Sequence, residues 1–181
     1  MITRIEQFKK KFPKEPKFRI KQIQEALFKF PDGSWEDATT LSKPIREELT
    51  KSIPWMSLTL ESMQEDFDVR KALLKTQDGQ MIETVLMMNA KEQWTVCLSS
   101  QIGCAMNCAF CATGKMGLKR NLTEDEIVDQ VRFWQSQIQL EERISNLVFM
   151  GMGEPMANYD SVKSALNTIL DNTDLGPVKI T

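Results

Sequence analysis

The spacing of apolar positions changes along the chain, and each change predicts a different kind of element. In residues 1–62 apolar side chains recur near helical spacing, and prolines break the region into short pieces. In residues 63–90 two apolar runs flank Asp78-Gly79, a turn sequence typical of a β-hairpin. The pattern therefore predicts a small helical accessory domain over 1–62 and a hairpin connection over 63–90.

From residue 91 to residue 181 strand signals alternate with helix signals. Trp94–Leu98 and Leu147–Met150 read as strands, each followed by an amphipathic helix, and Val178–Thr181 reads as the start of a third strand. Thr123 and Glu126 have the spacing of a capping box at the start of the first helix. This alternation predicts an α/β domain with a parallel sheet, too short to close a barrel and truncated within a larger domain.

Composition narrows the location and the chemistry of the protein. The chain is 41% hydrophobic, no apolar run approaches 18 residues, and the N-terminus lacks the apolar core of a signal peptide. We therefore expect a cytoplasmic protein without a membrane partner. The sequence contains no histidine, which excludes Cys/His zinc fingers and Ser-His-Asp triads and leaves carboxylates, thiols or a cofactor as the catalyst.

Charge is distributed unevenly along the chain. Residues 1–22 carry eight basic side chains against two acidic ones, although the net charge of the protein is -2. A basic segment on an acidic body suits contact with a polyanion such as RNA, and a solvated helix face is the alternative. The basic residues are Arg4, Lys9, Lys10, Lys11, Lys14, Lys17, Arg19 and Lys21.

Cysteines supply the most specific motif. Cys104, Cys108 and Cys111 form a CxxxCxxC with Phe110 before the last cysteine. Three thiolates at this spacing can bind three irons of a [4Fe–4S] cluster and leave the fourth iron open to a small molecule. The alternative is a zinc site with Cys97 as the fourth ligand, but zinc sites usually pair their cysteines as CxxC motifs.

A second motif, Gly151-Met152-Gly153-Glu154-Pro155, follows the second predicted strand. The turn should therefore lie at the same sheet edge as the loop that contains Cys104, Cys108 and Cys111 (the cysteine loop), because the C-terminal ends of parallel strands lie at one edge of a sheet. Glycines let the backbone approach a ligand, and the Glu154 carboxylate can accept hydrogen bonds from an ammonium group. Without the cysteines, a glycine turn that starts a helix is the simpler interpretation.

Four segments together resemble the radical S-adenosylmethionine (SAM) RNA methyltransferases of the RlmN/Cfr type. They are Ser99–Cys104, Phe110–Gly114, Arg120–Thr123 and Phe149–Pro155. The resemblance implies a partial (βα) barrel of the radical SAM type over 91–181, preceded by a small helical RNA-binding domain. It also implies two cofactors, a [4Fe–4S] cluster and SAM, whose reductive cleavage yields a 5′-deoxyadenosyl radical.

The same resemblance assigns roles to individual residues. It implies that Cys104, Cys108 and Cys111 bind the cluster, that Gly153 and Glu154 contact SAM, and that Glu83 exchanges a proton with the substrate. From the sequence alone an exposed strand residue is the favoured interpretation of Glu83, although carboxylates are the natural bases of a chain without histidine. Cys97 receives no chemical role.

The implied reaction is methylation of C2 of an adenine in 23S rRNA, with tRNA as a second candidate substrate and flavodoxin or ferredoxin as the electron donor. The family uses a further, methyl-carrying cysteine, and no cysteine follows Cys111, so we expect the 181-residue chain to be inactive alone. Three alternatives remain open: a sister activity at C8, a non-catalytic RNA-binding module with a structural metal, and a radical SAM enzyme with another substrate.

Overall fold

A computed structural model describes residues 2–139 and 142–181. The N-terminal region of the chain contains three helices that share a core. These are α1 (Arg4–Lys11), α2 (Phe18–Lys29) and α3 (Lys43–Ser52). Thr3 starts α1 with a capping box, because its hydroxyl accepts the Glu6 N–H and its own N–H donates to the Glu6 carboxylate. The buried apolar side chains here are Phe8, Ile23, Ala26, Leu27, Trp35, Ala38, Leu41, Ile45, Leu49 and Ile53.

Seven strands follow in the described residues, and five of them form one mixed sheet. The strands are β1 (Leu58–Glu65), β2 (Val69–Thr76), β3 (Met81–Met88), β4 (Trp94–Cys97), β5 (Gln101–Ile102), β6 (Arg120–Asn121) and β7 (Ile144–Val148). The large sheet has the order β1-β2-β3-β4-β7, with antiparallel pairing up to β4 and a parallel β4–β7 pair. The predicted hairpin is confirmed, since β2 and β3 pair across Asp78-Gly79.

The sheet has a buried face and an open face. Ile82, Leu86 and Val96 point into the main core, which α5 (Glu124–Gln137) and α6 (Tyr159–Asn172) cover. The alternate positions lie on the other face, where Glu83 is exposed and Val85 is half-buried opposite Cys97. Because side chains alternate across a strand, this register places Glu83 and Cys97 on the same open face.

Helix α5 is buried more completely than its sequence pattern indicates. The predicted capping box is present, with the Thr123 hydroxyl accepting the Glu126 N–H. Every residue from Glu126 to Trp134 is buried, because α5 lies between the sheet and the N-terminal helices. Arg132 Nε donates to Leu27 O at 2.9 Å on one side, and Trp134 Nε1 donates to Thr84 Oγ1 at 3.0 Å on the other.

Several sequence expectations about strands are corrected by the structure. Strand β1 was not expected, and it crosses the proposed division between residues 62 and 63. The β4–β7 pair is parallel as predicted, and it belongs to the same sheet as the predicted antiparallel hairpin. Strand β7 ends at Val148, so Phe149 and Met150 follow the strand. Pro177–Lys179 forms a 3-10 turn, and Ile180 makes a parallel bridge with Leu147. None of the helices in the described residues is long and apolar enough to cross a membrane.

Candidate metal and cofactor site

The cysteine loop leaves and re-enters the fold at one narrow neck. Strands β5 and β6 pair antiparallel on either side of it, and the Cys104 N–H donates to Gly117 O at 3.2 Å. Gly103 has a φ of +74°, and a Cβ at this position would lie 1.8 Å from Gly117 O. Glycine is therefore required at the neck, both for its backbone conformation and for the close approach of the two chain segments.

All three loop cysteines carry free thiols, and they differ in exposure. Cys104 is buried at the neck, Cys108 is exposed and Cys111 is half-buried at the start of the short helix α4 (Ala112–Lys115). A hydrogen bond from the Gly114 backbone lowers the pKa of the Cys111 thiol. Desolvation acts in the opposite direction, and hydrogen bonds from Thr113 add to the lowering. The thiolate is the metal-binding form of cysteine, so the start of α4 favours ligation at Cys111.

The arrangement of donors distinguishes a cluster from a single metal ion. Among residues 2–139 and 142–181, no three Cys, Asp or Glu side chains converge on a point that could hold one ion. A tetrahedral zinc site needs four donors around one centre, whereas each cysteine of an iron–sulfur cluster binds a different iron. The CxxxCxxC spacing places three cysteines on one loop, which is the number of protein ligands that a [4Fe–4S] cluster with one open iron uses.

Cys97 differs from the loop cysteines in its surroundings. It lies on β4, is buried, and desolvation raises the pKa of its thiol despite a hydrogen bond from the Met150 backbone. A buried protonated thiol is a poor metal ligand. This environment agrees with the absence of a chemical role for Cys97 in the sequence interpretation and weakens the zinc alternative.

The glycine turn after β7 packs directly against the chain segment that leads into the cysteine loop. A Cβ on Gly151 would lie 2.7 Å from Leu98 O, and a Cβ on Gly153, whose φ is +97°, would lie 2.5 Å from Gln101 Cβ. Met152 N–H donates to Ser99 Oγ at 2.8 Å, and Met152 O accepts the Ser100 N–H at 2.8 Å. The turn and the loop thus form one unit.

Glu154 is half-buried at the end of this turn and is held at two points. Its backbone N–H donates to Gln101 Oε1 at 2.9 Å, and its carboxylate Oε1 accepts the Met156 N–H at 3.0 Å. The second contact caps the 3-10 turn Pro155–Asn158. Both the backbone and the side chain of Glu154 are therefore oriented by neighbouring groups.

Glu83 lies beside the same turn. Its backbone O accepts a hydrogen bond from Ser99 Oγ, and its backbone N lies 3.4 Å from Met152 Sδ. Its carboxylate is half-exposed on the open face of the sheet and forms an ion pair with Lys71 at 3.2 Å. Ser99 and Met152 thus link Glu83 to the turn that contains Gly153 and Glu154, so the structure brings together residues 70 positions apart in the sequence.

The basic residues have uneven access to a polyanion. Arg4 is buried in ion pairs with Asp125 and Asp129, while Lys9 and Lys10 are exposed on α1. Arg120 near the site donates all five of its N–H groups within the protein, to Asp78, Asn121 O and Glu126. Arg120 therefore has no N–H group left over for a phosphate contact.

Sequence analysis missed the polar residues that join the loop to the turn. Ser99, Gln101 and Asn158 are all buried, and each bonds across segments: Asn158 Nδ2 donates to Ser100 O and to Leu122 O at 2.8 Å. A detectable signal was the polar run Ser99-Ser100-Gln101 directly after an apolar strand. Buried polar side chains need partners, and these partners lie 16 to 58 residues away in the sequence.

Comparison with known proteins points to one superfamily. A family model described as the radical SAM superfamily matches residues 98–179. A protein of Aquifex aeolicus named "Probable dual-specificity RNA methyltransferase RlmN" is 43% identical over 98% of this chain and 51% of its own length. The dual-specificity RNA methyltransferase RlmN of Desulfosudis oleivorans is 43% identical over 85% of this chain and 42% of its own.

One solved structure is also similar. It is a radical SAM methyltransferase from Sphaerobacter thermophilus, which superposes with a TM-score of 0.81 at 36% identity. The match covers 91% of this chain and 50% of the other. The chain spans about half the length of these relatives.

Proposed function

The chain belongs to the radical SAM superfamily and, over the half of their length that it spans, to the RlmN-type proteins, and we propose that it provides the cluster site and part of the SAM site of an RNA methyltransferase. The α/β fold of the radical SAM type, predicted from the sequence, is confirmed by the solved relative. Members of this superfamily use a [4Fe–4S] cluster and SAM. The observation that carries the proposal is the packing of the cysteine loop against the Gly153-Glu154 turn.

We assign the cluster to Cys104, Cys108 and Cys111. Their thiols are free, and Cys111 is favoured as a thiolate by the N-terminus of α4. The narrow neck at Gly103 fixes the two ends of the loop, while Cys108 stays accessible for ligation. When bound, the cluster supplies the electron that cleaves SAM reductively to a 5′-deoxyadenosyl radical.

Gly153 and Glu154 are proposed as SAM contacts. The positive φ of Gly153 and its close contact with Gln101 both require glycine here, which fixes the backbone of the turn beside the cysteine loop. Glu154 Oε1 is occupied by the Met156 N–H, and the carboxylate retains further acceptor capacity for an ammonium group. A charge-assisted hydrogen bond of this kind would orient the amino acid end of SAM.

Glu83 is proposed as the proton acceptor of the reaction. It is half-exposed on the open sheet face, so its carboxylate is accessible to a substrate, and its backbone is tied to the SAM turn through Ser99 and Met152. Lys71 balances its charge at 3.2 Å. A positioned carboxylate is a suitable general base for a proton lost from an adenine ring.

The proposed substrate is an adenine in RNA. The relatives are named dual-specificity RNA methyltransferases, which supports 23S rRNA and tRNA as the two RNA classes and C2 of adenine as the methylated atom. Exposed lysines on α1 provide a sequence-independent attraction to the phosphate backbone. The electron donor would be a small redox protein such as flavodoxin or ferredoxin, in the cytoplasm.

The test is methylation of unmodified 23S rRNA and tRNA by the intact protein under anaerobic conditions with SAM and a reductant. Mass spectrometry of the digested RNA should detect 2-methyladenosine, and the Cys108→Ala variant should give none. Glu83→Gln should retain its iron content and lose most methylation. Detection of 8-methyladenosine instead would favour the sister activity, and intact SAM with unmodified RNA would favour a non-catalytic RNA-binding module.

A further inference from the structure

Gln101 lies between the cysteine loop and the Gly153-Glu154 turn of the proposed site. It lies on β5, at the neck of the cysteine loop, and only 1% of its surface is exposed. Its side chain reaches both ways: Oε1 accepts the Glu154 N–H at 2.9 Å, and Nε2 donates to Asn121 Oδ1 at 2.8 Å. The side-chain amide of Gln101 therefore connects the Gly153-Glu154 turn to strand β6, where the chain leaves the cysteine loop.

The backbone and the aliphatic part of Gln101 reinforce this bridge. Its N–H donates to Met152 O at 3.2 Å, and its Cβ fills the space that a side chain on Gly153 would occupy. Gln101 thus touches three consecutive residues of the turn while it pairs with Asn121 in the β5–β6 ladder. A displacement of the turn relative to the loop would break all of these contacts together.

A buried amide with both ends satisfied is a rigid connection. In the poorly solvated interior the hydrogen bonds are stronger than in water, and an unpaired Glu154 N–H would carry a desolvation penalty. The contact also fixes the backbone of the one residue whose carboxylate is proposed to orient SAM. Asn158 supports the same unit from below, because its Nδ2 bonds to Ser100 O and Leu122 O on both sides of the loop neck.

We propose that Gln101 is a positioning residue that holds Glu154 in register with the cysteine loop, and so sets where SAM sits relative to the cluster. This inference rests on the proposed function, since it requires that the loop binds a cluster and that Glu154 contacts SAM. Gln101 itself touches neither cofactor in this account. It acts through Glu154, so its loss should weaken SAM binding while the three cysteine ligands stay in place.

The experiment compares Gln101→Met and Gln101→Glu in the reconstituted intact protein. Met matches the length of Gln, but its thioether is only a weak acceptor for the Glu154 N–H, whereas Glu retains the oxygen acceptor and Asn121 can turn its amide to donate. Three quantities are measured: iron and sulfide per chain, the SAM dissociation constant, and the change that SAM produces in the electron paramagnetic resonance spectrum of the reduced cluster. Gln24→Met, which alters a glutamine of α2 bonded to Thr168 of α6, is the control.

Gln101→Met should keep its iron and sulfide, bind SAM about tenfold more weakly, and show a reduced or altered spectral change on SAM addition. Gln101→Glu keeps the acceptor oxygen but buries a carboxyl group, so it should restore the affinity only in part. Asn121→Ala, at an exposed position where folding is less at risk, should weaken SAM binding in the same direction with its iron retained.

Two results would overturn the positioning role. One is an unchanged SAM dissociation constant in Gln101→Met and Asn121→Ala, and the other is a loss of iron that parallels every loss of SAM binding. A wild-type protein that binds neither iron nor SAM would instead contradict the proposed function. The two failures are therefore distinguishable in the same set of measurements.

Discussion

Removing the charge of Asp129 should cause a large loss of stability. It is fully buried on α5, where it pairs with Arg4 Nη2 at 2.7 Å and with Arg132, and it accepts hydrogen bonds from the N–H and hydroxyl of Ser57 at 2.6 Å. Asp129→Asn preserves the shape and removes the charge. Among the ion pairs of the described residues, Arg4 would then keep only Asp125 and Arg132 would keep no carboxylate partner.

The expected cost follows from this burial. Removing one partner from a buried ion pair typically destabilises a protein by about 3–5 kcal/mol, because the other charge stays buried without compensation. With a urea dependence of about 2 kcal/mol per M, the unfolding midpoint should fall by about 1.5–2.5 M. The control is Glu25→Gln, whose pair with Lys21 has side chains 54% and 80% exposed and a separation of 3.8 Å. Exposed pairs contribute about 0–1 kcal/mol, so this midpoint should barely move.

The buried ion pairs of Asp129 with Arg4 and Arg132 also predict a pH dependence of stability. Burial alone would raise the pKa of Asp129, but Arg4 and Arg132 outweigh it and the pKa is lowered on folding. A carboxylate with a lowered pKa contributes stability above its unfolded value of about 3.9 and loses it as the pH falls through the folded value. The wild type and Asp129→Asn should therefore converge in stability below about pH 4. Equal midpoints at pH 7, or a difference that grows on acidification, would refute this reasoning.

Three further predictions concern the loop, its anchor and the basic helix. Gly103→Ala should prevent iron uptake, because the alanine Cβ would lie 1.8 Å from Gly117 O. Gly117→Ala is the control, since that glycine also has a positive φ but faces open space, and this variant should retain iron. Equal iron content in the two variants would contradict the account. Arg120→Met should lower the free energy of unfolding by about 1–3 kcal/mol, measured by urea titration, because the buried Glu126 loses its partner, and an RNA affinity loss without destabilisation would argue for phosphate contact instead. The double variant Lys9→Glu/Lys10→Glu should weaken RNA binding and flatten the dependence of RNA affinity on salt concentration. Lys43→Glu on α3 is the control and should reduce the RNA affinity less. An unchanged salt dependence in the double variant would make α1 a solvated surface.

Local chemistry made part of this fold predictable. The Asp78-Gly79 turn and the Thr123–Glu126 capping box depend on residues a few positions apart, and both are present as expected. The three cysteines and the Gly153-Glu154 turn were likewise visible as short motifs. In each case the sequence window contains the interacting groups, so no tertiary information was needed.

The missed features depend on residues far apart in the sequence. Strand β1 is mostly exposed and shows no regular alternation, so its extended conformation comes from pairing with β2. Arg4 reads as part of a basic surface, yet it is buried because Asp125 and Asp129 lie on a helix more than 120 residues away. The bridge from Gln101 to Glu154 spans 53 residues, which no local pattern can indicate.

The assignment of the cluster to Cys104, Cys108 and Cys111 is tested most directly by comparing single cysteine variants of the intact protein after anaerobic reconstitution with iron and sulfide. Iron per chain and 5′-deoxyadenosine formed from SAM under reducing conditions are measured together. The wild type and Cys97→Ala should bind about four irons and form 5′-deoxyadenosine, whereas Cys104→Ala, Cys108→Ala and Cys111→Ala should do neither. Stoichiometric zinc without iron, or a Cys108→Ala variant that still forms 5′-deoxyadenosine like the wild type, would contradict it.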